Sequence, residues 1–77
     1  MTDQEIMEQI DKSLCLKKGE AKRESRLEED LGADELDVIE LSMHLDDHFG
    51  IGINNDQEAD WETVEDVIKT EREVENE

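Results

Sequence analysis

The apolar residues of this chain are few, and they recur at three- and four-residue steps. Ile6, Met7, Ile10 and Leu14 form one series, Leu36, Ile39, Met43, Leu45 and Phe49 a second, and Val64, Val67 and Ile68 a third. Such spacing is helical: the first and third series each lie on one face, while the second, widened by Val38 and Leu41, covers more than one, and the alternation expected of a half-buried strand is missing. Proline is absent and the aromatic residues are Phe49 and Trp61 alone, so a sheet has little to be built from. A chain of 77 residues makes one domain, and at that size only about 60% of the unfolded surface is buried. Small domains often compensate with disulfides or a metal. The single cysteine, Cys15, has no internal partner, and no Cys–His cluster has zinc spacing. Helix packing must therefore carry an all-α fold.

The limits of the helices follow from capping chemistry. Thr2 or Asp3 can accept an orphan backbone N–H, which predicts a first helix from about residue 3 to about residue 15. Cys15 is expected at the edge of its apolar stripe, with no cationic neighbour to activate the thiol. A long connection over residues 16–34 follows, pinned by Leu16, Leu27 and Leu31. Ser25 and Glu28 have capping-box spacing, consistent with one helical turn there. A second helix should start near Asp34 and run to Phe49, where Gly50 and Gly52 end it and Ile51 and Ile53 return to the core. Asn54–Asp60 has room for a short helical turn. Thr63, with Asp66 three residues on, should open the last helix. The charged tail from Glu71 to Glu77 is expected to fray. The expected architecture is a four-helix bundle: three main helices, one short helix and a long first loop, in a single domain over residues 1–77.

Charge limits the partners. Eight basic residues stand against 25 acidic ones, a formal net charge of −17. Such a surface repels nucleic acid and anionic membranes and suits partners with basic patches. High charge with few apolar residues also marks disorder, but the regular apolar spacing argues against it here. The distribution is uneven. Lys17–Arg26 holds five basic and two acidic residues, whereas Glu28–Asp47 holds nine acids and neither Lys nor Arg. No stretch approaches the roughly 18 apolar residues of a membrane span, and none has the pattern of a signal or transit peptide. With a lone cysteine, this points to a cytoplasmic monomer.

Residues 27–41 read Leu-Glu-Glu-Asp-Leu-Gly-Ala-Asp-Glu-Leu-Asp-Val-Ile-Glu-Leu. This resembles the signature of the acyl carrier protein family, in which an acidic loop ending in Asp-Leu-Gly-Ala-Asp meets the second helix. The similarity continues through Met43, Leu45, Asp46, Asp47, Phe49, Gly50 and Ile53, and closes with Trp61-Glu-Thr-Val-Glu-Asp-Val-Ile68. It covers about residues 3–70. The resemblance implies a role in fatty acid biosynthesis or related lipid metabolism, in which acyl groups ride as thioesters on a 4′-phosphopantetheine arm. The arm is attached through a serine between the Asp and Leu that open the second helix. Here that place, between Asp34 and Leu36, is held by Glu35, and a carboxylate cannot form the phosphodiester. No cofactor is therefore expected on the chain as written; serine at residue 35 would allow the arm. Ser13, Ser25 and Ser42 lack the Asp-x-Leu setting. Glu35 is compatible with a natural carrier-like binding module and with a true carrier engineered into an unmodified state. It also suits a helix's first turn, and its charge imitates the phosphodiester only in part.

The resemblance further implies a partner-binding face on the second helix. Its acids would be Asp34, Asp37, Glu40, Asp46 and Asp47, with Leu36 and Met43 as the apolar centre. The partners implied are acyl- or phosphopantetheinyl-transferring and synthase-type enzymes with basic docking patches. Read without the resemblance, the same acids are a solvated helix face. Ile39, Leu41, Leu45, Ile53, Val64 and Ile68 are the candidates to line an acyl cavity, though as core residues they need no cavity to explain them. Glu40, His44 and His48 share a helix face, but one helix supplies only part of a metal shell, and no metal site is assigned. No EF-hand spacing, Ser–His–Asp arrangement or Gly-rich phosphate loop occurs, so the chain is read as a non-catalytic docking domain. The alternative from another class is an acidic regulator that mimics nucleic acid, although mimicry by charge alone does not require the motif at residues 30–37.

Overall fold

A computed structural model describes residues 2–75. It contains four helices, α1 (Asp3–Ser13), α2 (Glu35–Phe49), α3 (Asn55–Ala59) and α4 (Val64–Glu75). Among the described residues there is no strand, only an isolated antiparallel bridge between Arg26 and Thr63. The all-α bundle expected from the apolar spacing is the fold observed.

All four helices begin with reciprocal caps. Thr2 Oγ1 accepts from the Glu5 N–H (3.1 Å), and Glu5 Oε1 accepts from the Thr2 N–H (3.0 Å). Asn54 and Gln57 repeat the pattern on α3, and Asp34 and Asp37 on α2. Ahead of α4, Thr63 Oγ1 accepts from the Asp66 N–H, while Asp66 Oδ2 accepts from the N–H groups of Glu62 and Thr63. Each cap contributes about 1 kcal/mol by satisfying N–H groups that the helix leaves unbonded. With Thr2 as the α1 cap, Asp3 is left to meet Arg72 of α4 and Arg23 of the loop, both within 2.8 Å. Gly50 ends α2 with φ +67°, a left-handed turn that a side chain disfavours.

The buried core joins Ile6 and Ile10 of α1, Leu41 and Leu45 of α2, and Val64, Val67 and Ile68 of α4. Leu27 is buried, while Leu16 and Leu31 pack against this core from the long loop. The loop is also fastened by groups whose anchoring role the sequence does not reveal. Asp11, at 5% exposure, accepts from the N–H groups of Gly19 (2.8 Å) and Ala21 (3.0 Å). The Leu27 N–H donates to the Glu62 carbonyl, and the Ser25 and Arg23 carbonyls accept from Val64 and Glu65. Ala21 and Ala33 are both buried.

Three expectations need correction. Helix α1 ends at Ser13, and Cys15 follows it, exposed and with φ +57°. The Ser25 hydroxyl accepts from the Lys22 N–H of the preceding turn, leaving the next turn to Asp30, whose carboxylate accepts from the Arg26 N–H. The tail is helical beyond Glu71: α4 continues to Glu75 and Glu71 is fully buried. Asn76 and Glu77, the rest of that expectation, lie outside the described residues.

A net charge of −17 on so small a body repels itself, and salt screens that repulsion within about 10 Å at 0.1 M. Moderate salt or a few millimolar magnesium is therefore expected to raise the melting temperature, by about 4–8 °C for each kcal/mol relieved. Melting curves that coincide across ionic strength would reject this.

Candidate functional site

The acidic segment before α2 is shaped by backbone bonds. The Arg26 carbonyl accepts from Asp30 and Leu31, and the Ala33 N–H donates to the Leu27 carbonyl (2.8 Å). Gly32 adopts φ +70° and turns the chain, so that Asp34 arrives extended, as a cap must. Its Oδ1 accepts from the Asp37 N–H (2.9 Å), and Asp37 Oδ2 accepts from the Asp34 N–H (3.1 Å). Both candidate docking acids therefore also hold the helix start. Glu35 is the first residue of α2 and is exposed.

Along α2 the large apolar side chains divide. Leu41 and Leu45 are fully buried, but Leu36 is 68% exposed, Met43 63% and Ile39 38%. Exposed Glu35, Glu40 and Asp47 accompany them on the same helix. Isolated exposed apolar residues are ordinary, whereas three large ones on one helix make a patch that water does not favour.

Asp46 behaves differently. It is half-buried, and its Oδ1 accepts from the Ile53 N–H (3.1 Å). Burial raises its carboxyl above the ordinary value, the Ile53 bond lowers it, and the Glu58 charge raises it further. Asp46 thus holds the loop after α2. The second turn of α2 meets α3 through Ser42, whose hydroxyl donates to the Ile39 carbonyl and to Glu58 Oε2 (2.7 Å). His44 Nδ1 lies 3.0 Å from Ser13 Oγ on α1, and His48 stands edge-on to Phe49.

Of the residues named for an acyl cavity, Leu41, Leu45, Val64 and Ile68 are packed in the core, Ile53 is half-buried and Ile39 is exposed. The open cavity nearest Glu35 measures about 510 Å³ and has a different lining: Glu28, Glu35, Val38, Ile39, Glu58, Ala59 and Trp61. Sequence reasoning named neither Glu28 nor Glu58 here. Glu35 and Ile39 stand four residues apart on one helix, but bringing α3 and Trp61 beside them requires the tertiary fold. The Trp61 indole is oriented by its N–H, which donates to Thr70 Oγ1 (2.9 Å).

These features define a small helical domain that presents the capped start of one helix and the exposed face running on from it. Comparison with known proteins makes the class specific. Residues 4–70 match the family model described as the phosphopantetheine attachment site. The chain is 43% identical over 65 residues to an acyl carrier protein of Sulfurovum sp. (strain NBC37-1), covering 84% of this chain and 87% of that protein. It is 39% identical over 72 residues to an acyl carrier protein of Exiguobacterium sibiricum, covering 88% and 91% respectively. An acyl carrier protein of Wolinella succinogenes is 42% identical over 65 residues, covering 84% and 86%. The chain belongs to the acyl carrier protein family of phosphopantetheine attachment domains. No helix among the described residues is long and apolar enough to cross a membrane.

Proposed function

We propose that this chain is a non-catalytic carrier-family module that docks through α2 on basic patches of carrier-handling enzymes and, with Glu35 in place, bears no arm. The observation that carries the reading is the exposed Leu36, Ile39 and Met43 on a helix rich in acids. Opposite charge guides the approach and orients the partner, with each rim pair contributing little. Apolar contacts at the centre supply the affinity. The partners this suits are synthase, acyltransferase and phosphopantetheinyl transferase enzymes with Arg and Lys at their docking sites, met by a cytoplasmic monomer.

The residues present do not fit a phosphopantetheine group. Glu35 holds the exposed place between Asp34 and Leu36, and its carboxylate has no hydroxyl to form the phosphodiester. Ser42 is buried at 4% exposure with its hydroxyl engaged. Ser13 faces His44, and Ser25 accepts from Lys22. A second reading, favoured by relatives about 40% identical that are called acyl carrier proteins, is a genuine acyl carrier held unmodified by a serine-to-glutamate substitution.

Docking is tested by measuring the Kd for a phosphopantetheinyl transferase across a salt series. Leu36→Ala and Met43→Ala are each expected to weaken binding about 5- to 30-fold, the 1–2 kcal/mol of a central contact. Melting should change little, because both side chains are exposed. Binding that ignores salt and both substitutions would refute the docking face.

A further inference from the structure

Helix α4 turns Val64, Val67, Ile68 and Glu71 inward, at positions i, i+3, i+4 and i+7. The fourth rung of an apolar stripe is thus a carboxylate. Glu71 has 0% exposure, and neither of its oxygens has a hydrogen-bond partner. The charges acting on it are acidic: Asp46 from α2 and Glu75 one turn further along α4. Helix α1 also packs on α4, but its Asp3 meets Arg72 and Arg23 on the half-exposed edge of the molecule. Those two arginines hold the Asp3 carboxyl below its ordinary value.

We propose that Glu71 makes the C-terminal half of α4 a proton-controlled latch: neutral, it stays in the core, and ionised, it leaves with the last turns of the helix. The reason is the unequal cost of the two forms. A buried neutral carboxyl lacks hydrogen bonds, whereas a buried carboxylate lacks them and also forfeits the hydration of a full charge beside two further acids. The chain has two escapes, retaining the proton or releasing the side chain to water. Release must move the helix end, because Glu71 lies on its inward face. The exposed Asp3–Arg72 pair resists this only weakly.

The sign follows from where the proton is held. Burial first, then Asp46 and Glu75, push the Glu71 carboxyl from 4.5 up to about 7. Between these values the closed state keeps a proton that the open state has lost. Closing is therefore favoured below 4.5, loses ground as pH rises, and levels off above about 7. The difference corresponds to on the order of 10²-fold in the closing equilibrium.

Carboxyl-carbon NMR on the intact chain reads the latch directly, with Glu71 expected to titrate well above 4.5, between that value and the closed-state value of about 7. Amide exchange, corrected for intrinsic rates, should lose tenfold or more of its protection at residues 71–75 between pH about 5.5 and about 8. Glu71→Leu should flatten that profile, and Glu71→Gln, uncharged at every pH, should flatten it too. An ordinary Glu71 titration would overturn the proposal. So would an unchanged pH profile in both variants, or an equal loss of protection throughout α2, which would mean global unfolding rather than a latch.

Discussion

A Glu35→Ser variant is expected to gain the mass of phosphopantetheine when incubated with coenzyme A and a broad-specificity phosphopantetheinyl transferase, while the chain with Glu35 keeps its starting mass. In the transfer, the serine oxygen bonds to phosphorus of the coenzyme A pyrophosphate. The bond to the nucleotide phosphate breaks, and the hydroxyl proton passes to a base on the transferase. The chain already supplies what surrounds such a serine. Residue 35 is the exposed first residue of a helix whose N-terminus is fixed by Asp34 and Asp37. An added phosphate would lie where the helix dipole favours negative charge. Glu35→Ala, which removes the carboxylate without adding a hydroxyl, should remain unmodified. Intact mass spectrometry of the three chains gives an all-or-none readout. Loading of the serine variant alone would mean that the transferase docking face is intact and that Glu35 by itself bars the arm. If the serine variant also stays unmodified while folding normally, the transferase contacts have diverged, and the second reading falls.

The same site shows how far sequence reasoning reaches. The start of α2 was legible because Asp34, Leu36 and Leu41 stand at fixed offsets behind a turn that needs Gly32. Candidate docking acids were not separable from structural ones, because a carboxylate reads alike whether it faces water or a backbone N–H. Asp37 is the informative case: it follows Asp34 by three residues, the same spacing that predicts the Thr63–Asp66 cap, and it closes the cap of α2 in the same way. Asp46 gave no such signal, since its partner, the Ile53 N–H, lies beyond the end of the helix. Helix limits followed the apolar steps for α2, but at α1 Leu14 continues the stripe past Ser13, the last helical residue. They failed at Glu71, because a charged residue on the inward rung hides the last two turns of α4 from any periodicity argument. Ala21 and Ala33 are buried anchors too small to register beside the leucines.

Asp11 is the strongest example of a group whose importance lies in a tertiary contact, and its removal should have the largest effect on stability of any single acid in the long loop's anchorage. Its two oxygens accept separately from the N–H groups of Gly19 and Ala21, eight and ten residues away. The loop between α1 and α2 is thereby closed onto α1 close to its start. Hydrogen bonds to a charged acceptor contribute about 1.5–3 kcal/mol each, and a buried N–H left without a partner adds its own desolvation cost. Ala21 is 1% exposed, so water cannot readily replace the lost oxygen there. Asp11→Ala should therefore lower unfolding free energy by about 3 kcal/mol, a large share of what a domain of this size possesses. At about 4–8 °C per kcal/mol, melting should fall by about 12–24 °C. Asp11→Asn is not expected to rescue it, because one of its two positions becomes an NH₂ group facing a backbone N–H, donor against donor. Urea unfolding of the three chains checks both statements. A loss below about 1 kcal/mol for the alanine variant, comparable to a single exposed cap, would mean that the loop is held by Leu27 and its backbone bonds to the α4 entrance instead. An asparagine variant as stable as the parent would mean that a single accepted bond suffices.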